Sequence, residues 1–207
     1  MIIALDLDGT LIDCRRRQVE CMASIFARRQ MPFDRERFWG LKREGASTRL
    51  ALLEMSHGLE QSQEMSDEWA GQIENAYWLG YDRAFPGVSG TLGELRQSRK
   101  ATLILITARR SERLFLHQMR CLRLDAFFSR KICVNPLSAV QAKANALKAA
   151  RPSIYIGDTE SDCQAAALAG VEFAAVTSGQ RSANYLSKKQ ITTADDIGHI
   201  VYPDEAS

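Results

Sequence analysis

Residues 1–13 read MIIALDLDGTLID, and the fold turns on how they are read. Ile2 to Leu7 is an apolar run with no polar alternation, the pattern of a strand covered on both faces. It runs into Asp6, Asp8 and Asp13, clustered around a Gly9-Thr10 turn. Carboxylates this close repel one another and require a cation, a proton or open water. A solvated aspartate turn would use water. A ligand site at a strand end would use a cation.

Four more apolar runs share the character of the first: Thr102 to Ile106, Ile132 to Val134, Ile154 to Ile156 and Phe173 to Val176. Helical patterns lie among them, over Val88 to Gln97, Arg113 to Leu122, Ala139 to Ala149 and Asp162 to Ala169. Strand alternating with helix predicts an α/β fold, a doubly wound parallel sheet. One stretch breaks the alternation. Between about Cys14 and Arg83 the sequence offers no strand, and helices are expected over Arg15 to Gln30, Asp34 to Lys42, Ser47 to Ser56 and Ser66 to Asp82. Asp34 and Ser66 suit N-caps, Gly45 and Gly58 mark breaks, and Phe85-Pro86-Gly87 marks the return to the α/β pattern. The expected organisation is a small helical domain, residues 14–83, inserted into a core of residues 1–13 and 84–207.

The bulk properties narrow the function class. The 207 residues are 45% hydrophobic and 25% charged, which predicts a soluble globular protein. A net charge of +2 is too balanced for a nucleic-acid or acidic-membrane partner. Local arginine clusters (Arg15 to Arg17, Arg28 and Arg29, Arg109 and Arg110) read by default as solvated helix faces. No apolar run reaches the length of a membrane span, and the N-terminal run lacks a signal peptide's basic region. Five scattered cysteines without a CxxC pair suit the reduced thiols of a cytoplasmic protein.

A second acidic group answers the first. The stretch IYIGDTESD places Asp158 and Asp162 at the end of another apolar run. In a parallel sheet such strand ends lie side by side, and together the carboxylates make a hard oxygen site suited to Mg²⁺. The stretch LILITAR places Thr107 at a third strand end, where its hydroxyl and nearby N–H groups can hold an anionic oxygen. Lys143, in AKANALKAA, offers a point cation for phosphate. Acids, metal, hydroxyl and lysine are the parts that phosphoryl transfer needs.

In order and spacing, DLDGTLID, ITAR, Lys143 and GDTESDCQAAALAG resemble the four motifs of the haloacid dehalogenase-like hydrolase superfamily. From FPGV onward the chain is similar to the phosphoglycolate phosphatase and β-phosphoglucomutase branch, whose Rossmann-like core carries a helical cap after the first motif. The resemblance implies Asp6 as a nucleophile forming an aspartyl-phosphate. It implies Asp8 as general acid for the leaving alcohol and then base for water. Thr107 and Lys143 would hold the phosphoryl group. Asp6, the Asp8 carbonyl and Asp158 would bind Mg²⁺, with Asp162 supporting the metal's water shell. An acid at the Asp8 position favours phosphate-ester chemistry over dehalogenation or C–P cleavage.

Arg49, at a helix start in the cap, and Arg109, where the branch often carries Asn, are candidate substrate contacts; a surface role for Arg49 weighs equally. His57, His117 and His199 lack metal-ligand spacing. Trp39, Trp69 and Trp78 read first as packing residues, as do Cys14 and Cys163, and Asp13 reads as a turn residue. The expected activity is a Mg²⁺-dependent phosphatase acting on a small phosphorylated metabolite, the protein being a monomer or homodimer. A sugar-phosphate mutase and a catalytically weak phospholigand-binding protein are the alternatives.

Overall fold

The computed structural model describes residues 1–55 and 57–202. Its strands are β1 (Ile2–Leu5), β2 (Ile12–Asp13), β3 (Arg83–Ala84), β4 (Thr102–Ala108), β5 (Arg130–Val134), β6 (Ile154–Gly157), β7 (Glu172–Val176) and β8 (Thr193–Ala194). The α-helices run α1 (Arg15–Arg28), α2 (Arg35–Arg43), α3 (Thr48–Glu54), α4 (Leu59–Gln72), α5 (Ala76–Leu79), α6 (Val88–Gln97), α7 (Glu112–Cys121), α8 (Ala139–Ala150), α9 (Glu160–Ala169) and α10 (Ala183–Lys188).

Six strands form one sheet in the order β5-β4-β1-β6-β7-β8, and every pairing in it is parallel. The chain builds from β1 through β4 to β5, then crosses back to β6 on the other side of β1. That reversal makes β1 the switch point, where open α/β sheets bind ligands at their carboxyl edge. Successive strand residues point to opposite faces. Ile3, Leu5, Leu103 and Leu105 join Leu92 of α6 and Phe115 of α7 in one cluster. Ala4, Ile104, Ile106 and Tyr155 join Leu147 of α8 and Ala165 of α9 in another. With both faces covered, the strands need no polar alternation, which is why all five expected apolar runs form strands.

Residues 15–79 hold α1 to α5, packed around Met22, Phe26, Phe38, Leu52 and Met65. Asp34 caps α2 by accepting from the Arg37 N–H, and Ser47 caps α3 through the Leu50 N–H. The expected end of that third helix, Ser56, lies outside the described residues.

Three expectations need correction. Ser66 is not an N-cap: it sits inside α4, which starts after Gly58, and the expected single helix to Asp82 breaks at Gln72 before Asn75 caps α5. The polar run from Glu60 to Glu64 had hidden the helical period there. Second, the segment from Cys14 to Arg83 is not free of strand, because Arg83 pairs with Asp13 and Ala84 with Ile12 in an antiparallel two-strand ribbon. This ribbon joins the entry to the helical segment with its exit. Two-residue strands carry no periodicity, so neither these nor β8 was legible. Third, the arginine clusters are not all solvated, as the site makes plain.

Candidate active site

Three neighbouring strands deliver the candidate residues to one edge. Asp6 follows β1, Thr107 lies near the end of β4, and Asp158 follows β6. The Asp6 N–H donates to the Ile156 carbonyl at 2.8 Å, which ties the first acidic loop to β6. Asp162 enters from the first turn of α9, where it and Thr159 form a capping box. Lys143 comes from α8 across the sheet edge.

Lys143 Nζ donates to Asp6 Oδ1 at 2.7 Å and to Asp162 Oδ1 at 2.6 Å. All three residues are buried. Tyr155 Oη also donates to Asp162 Oδ1, and Thr159 Oγ1 to its Oδ2 at 2.6 Å, so Asp162 spends both oxygens on the protein. Asp158 is different. Its Oδ2 accepts the Gln180 N–H at 2.6 Å, while its Oδ1 is buried with no partner. Oxygens of Asp6, Asp158 and Asp162 lie within 4.8 Å of one another.

Burial and the surrounding carboxylates make this cluster anion-strained. Burial raises the Asp6 pKa to about 7, although Lys143 pulls it down. Burial, then Asp162 and Asp6, push Asp158 well above the carboxylate range. Burial disfavours the charge on Lys143, but Asp162 and Asp6 outweigh it and hold the ammonium charged. The orphaned Asp158 oxygen and the all-oxygen donor set fit a hard divalent cation such as Mg²⁺. Gly9 belongs to this fit. Its φ is +77°, and any Cβ there would overlap Asp158 Oδ2.

Asp8, which lines the same cavity as Asp6, is held by two arginines. Its Oδ1 accepts from Arg17 Nη2 at 2.8 Å and from Arg109 Nη2 at 2.6 Å. Burial alone would raise the Asp8 pKa, but Arg109 and Arg17 outweigh it and hold the carboxyl below its ordinary range. Arg17 also pairs with Asp82 at 2.9 Å, and Gln118 donates to that carboxylate at 2.7 Å. Arg17 and Arg109 are 3% and 4% exposed, which overturns their reading as solvated cations. Neither the burial of Arg17, which lies off the helical stripe of Val19, Met22 and Phe26, nor its distant partner Asp82 was legible.

Two cavities meet at Asp8 and Gln180. A small one of about 150 Å³ is lined by Asp6, Thr107, Lys143, Asp158 and Asp162. A neighbour of about 250 Å³ is lined by Arg17, Gln18, Trp69, Glu74, Arg109 and Arg110. Trp69 is thus both a packing residue and a cavity wall. Of the expected site residues, only Arg49 stays apart from these cavities; it is exposed, and its guanidinium donates to Gln63 at 3.3 Å. A more apolar cavity of about 320 Å³, between α5 and α7, holds none of the expected residues.

A comparison with curated protein sequences returned no match. Among solved structures, a haloacid dehalogenase-like family protein from Streptococcus pneumoniae is 21% identical with a TM-score of 0.74, covering 93% of this chain and 91% of its own. A protein from Lactobacillus delbrueckii, provisionally described as a phosphoglycolate phosphatase, is 18% identical with a TM-score of 0.72, covering 94% of this chain and 93% of its own. Protein tyrosine kinase A of Mycobacterium tuberculosis is 20% identical with a TM-score of 0.72, covering 96% of this chain and 94% of its own. Identity this low carries the fold alone, and one fold serves differently named activities. The family model is more specific: the haloacid dehalogenase-like hydrolase model matches residues 1–170, over the same acidic loops and strand ends, and the chain belongs to that family.

Proposed function

We propose that the protein is a Mg²⁺-dependent phosphoric monoester hydrolase acting on a small phosphorylated metabolite. The observation that carries this reading is the buried Asp6–Lys143–Asp158 cluster beside a cavity of phosphate size. Asp6 is the nucleophile and forms an aspartyl-phosphate, so that one hard displacement becomes two easier ones. Lys143 steadies the Asp6 carboxylate and, with Thr107, holds the phosphoryl oxygens. Mg²⁺, held by Asp6, Asp158 and the Asp8 carbonyl with Asp162 in support, would supply positive charge against the transferring group.

Asp8 protonates the leaving oxygen and later takes a proton from water. Its two arginines favour the ionised form, which suits the second role directly. For the first, Asp8 must be freed from at least one guanidinium. A substrate bearing a second anionic group would do this by drawing Arg109 to itself. We therefore assign Arg109 to specificity and leave Arg49 out. Residues 14–83 act as a cap domain over a core of residues 1–13 and 84–207, closing the larger cavity over the leaving group and excluding water. No helix among the described residues is long and apolar enough to cross a membrane, and a cytoplasmic location fits the substrate class.

The test is phosphate release from phosphoglycolate, sugar phosphates, nucleotides and amino-acid-like phosphates, with Mg²⁺ and with chelator. One class is expected to turn over only with Mg²⁺. Asp6→Asn is expected to lower its kcat by about 1,000-fold or more, equivalent to about 4 kcal/mol. Unchanged release by this variant would sink the mechanism. No release from any ester by the folded wild type would favour the mutase or ligand-binding alternatives.

A further inference from the structure

The segment Thr177 to Ser182, between β7 and α10, touches the acidic cluster with one face and α2 with the other. On the cluster side, the Gln180 N–H donates to Asp158 Oδ2 at 2.6 Å. This is the one hydrogen bond the Asp158 side chain receives among the described residues. Ser178 Oγ donates to the Gly9 carbonyl at 3.3 Å, and a Cβ on Gly179 would overlap Asp158 Oδ2. The segment is thus seated directly on both acidic loops.

On the other side the end of α2 grips it. Arg43 donates to the Gly179 carbonyl at 2.8 Å and to the Thr177 carbonyl at 3.1 Å. The Ser182 N–H donates to the Arg43 carbonyl at 2.9 Å, and Arg181 Nη1 to the Lys42 carbonyl at 2.8 Å. Arg181 also forks onto Glu160 at 2.6 and 2.9 Å, in the helix that carries Asp162. A guanidinium fork fixes direction as well as distance.

We propose that Arg43 is a positioning residue for the metal site. Reaching from the helical segment, it holds residues 177–182 so that the Gln180 amide orients Asp158 and leaves Oδ1 free for the cation. Docking of the helical segment and formation of the metal site are then one event. This rests on the metal reading above, and the test separates the two. Groups that orient a metal ligand are worth about 10–100-fold in affinity.

Mg²⁺ binding is titrated by calorimetry, without substrate, on wild type, Arg43→Ala, Arg43→Lys, Arg37→Ala and Asp158→Asn. Arg37→Ala removes a guanidinium–carbonyl bond of the same helix (Arg37 Nη2 to Glu54 O, 2.7 Å) that does not reach the segment. Arg43→Ala is expected to weaken binding about 10-fold, Arg43→Lys less, and Arg37→Ala not at all. Excess Mg²⁺ is expected to restore turnover to Arg43→Ala, which a collapsed helical segment would not allow. Should Arg43→Ala not fold, Arg43→Met keeps the aliphatic stem and carries the same expectation. Wild-type affinity in the Arg43 variants, with Asp158→Asn impaired, overturns the coupling alone. Wild-type affinity in Asp158→Asn overturns the metal assignment, and the coupling with it.

Discussion

Single residues here carry charges that their surroundings do not cancel. Lys42 is buried, hydrogen-bonded to Thr48 Oγ1 at 3.1 Å, and stacked over Trp69 at 5.2 Å; no carboxylate pairs with it among the described residues. Burial, then the Arg181 charge, lower its pKa from 10.5 to about 8. Between those two pH values the unfolded chain binds a proton that the native protein has released, so native stability is expected to rise with pH across the window. Below it the cost of the buried ammonium is constant. Lys42→Met removes that cost. It is expected to raise the unfolding free energy at pH 7 by on the order of 1–2 kcal/mol and to flatten the rise. Urea unfolding of both proteins at pH 7 and pH 9.5 checks this, and a smaller rise in wild type than in the variant would refute it.

Elements act by presenting such residues at fixed positions. The capping box of α9 does two things at once. Thr159 Oγ1 accepts the Asp162 N–H of the first turn and donates to the Asp162 carboxylate, which holds Lys143. Thr159→Ala is expected to cost about 1 kcal/mol as a lost cap. Because Asp162 loses a hydrogen bond as well, phosphate release is expected to fall alongside. Thr159→Ser keeps the oxygen and should retain both. Thermal unfolding and turnover of the two variants check the hydroxyl's double role; equal loss in both variants would contradict it.

Across the whole molecule, the acidic cluster is a stability deficit that, on the function proposed above, a bound cation would repair. Asp6 and Asp158 are buried with raised pKa values, and one carboxylate oxygen is without a partner. A cation that binds only the native protein at 100 times its dissociation constant should add about 2.7 kcal/mol of stability. For a chain of this size that is a rise of about 5–10 °C in Tm. Differential scanning calorimetry with Mg²⁺ and with chelator measures it. Asp158→Asn is expected to be more stable than wild type in chelator and to gain less from Mg²⁺. Equal gains in the two proteins would mean that Mg²⁺ binds elsewhere.

Features that depend on local period and local spacing were legible from the residues alone. Strands buried on both faces are continuous apolar runs, so the five main strands were legible, and with them the α/β class and the sheet edge where Asp6, Thr107 and Asp158 meet. Lys143 and Asp162 followed from motif order. The tertiary structure alone decided what depends on contacts between distant residues. The β2–β3 ribbon joins residues 12–13 to residues 83–84, the Arg17–Asp82 pair spans 65 positions, and Arg43 meets Gly179 across 136. An arginine on a helix reads the same whether its guanidinium ends in water or on a buried carboxylate. Only the packing of distant segments makes that choice, because it alone sets whether the charge finds a partner once water is removed.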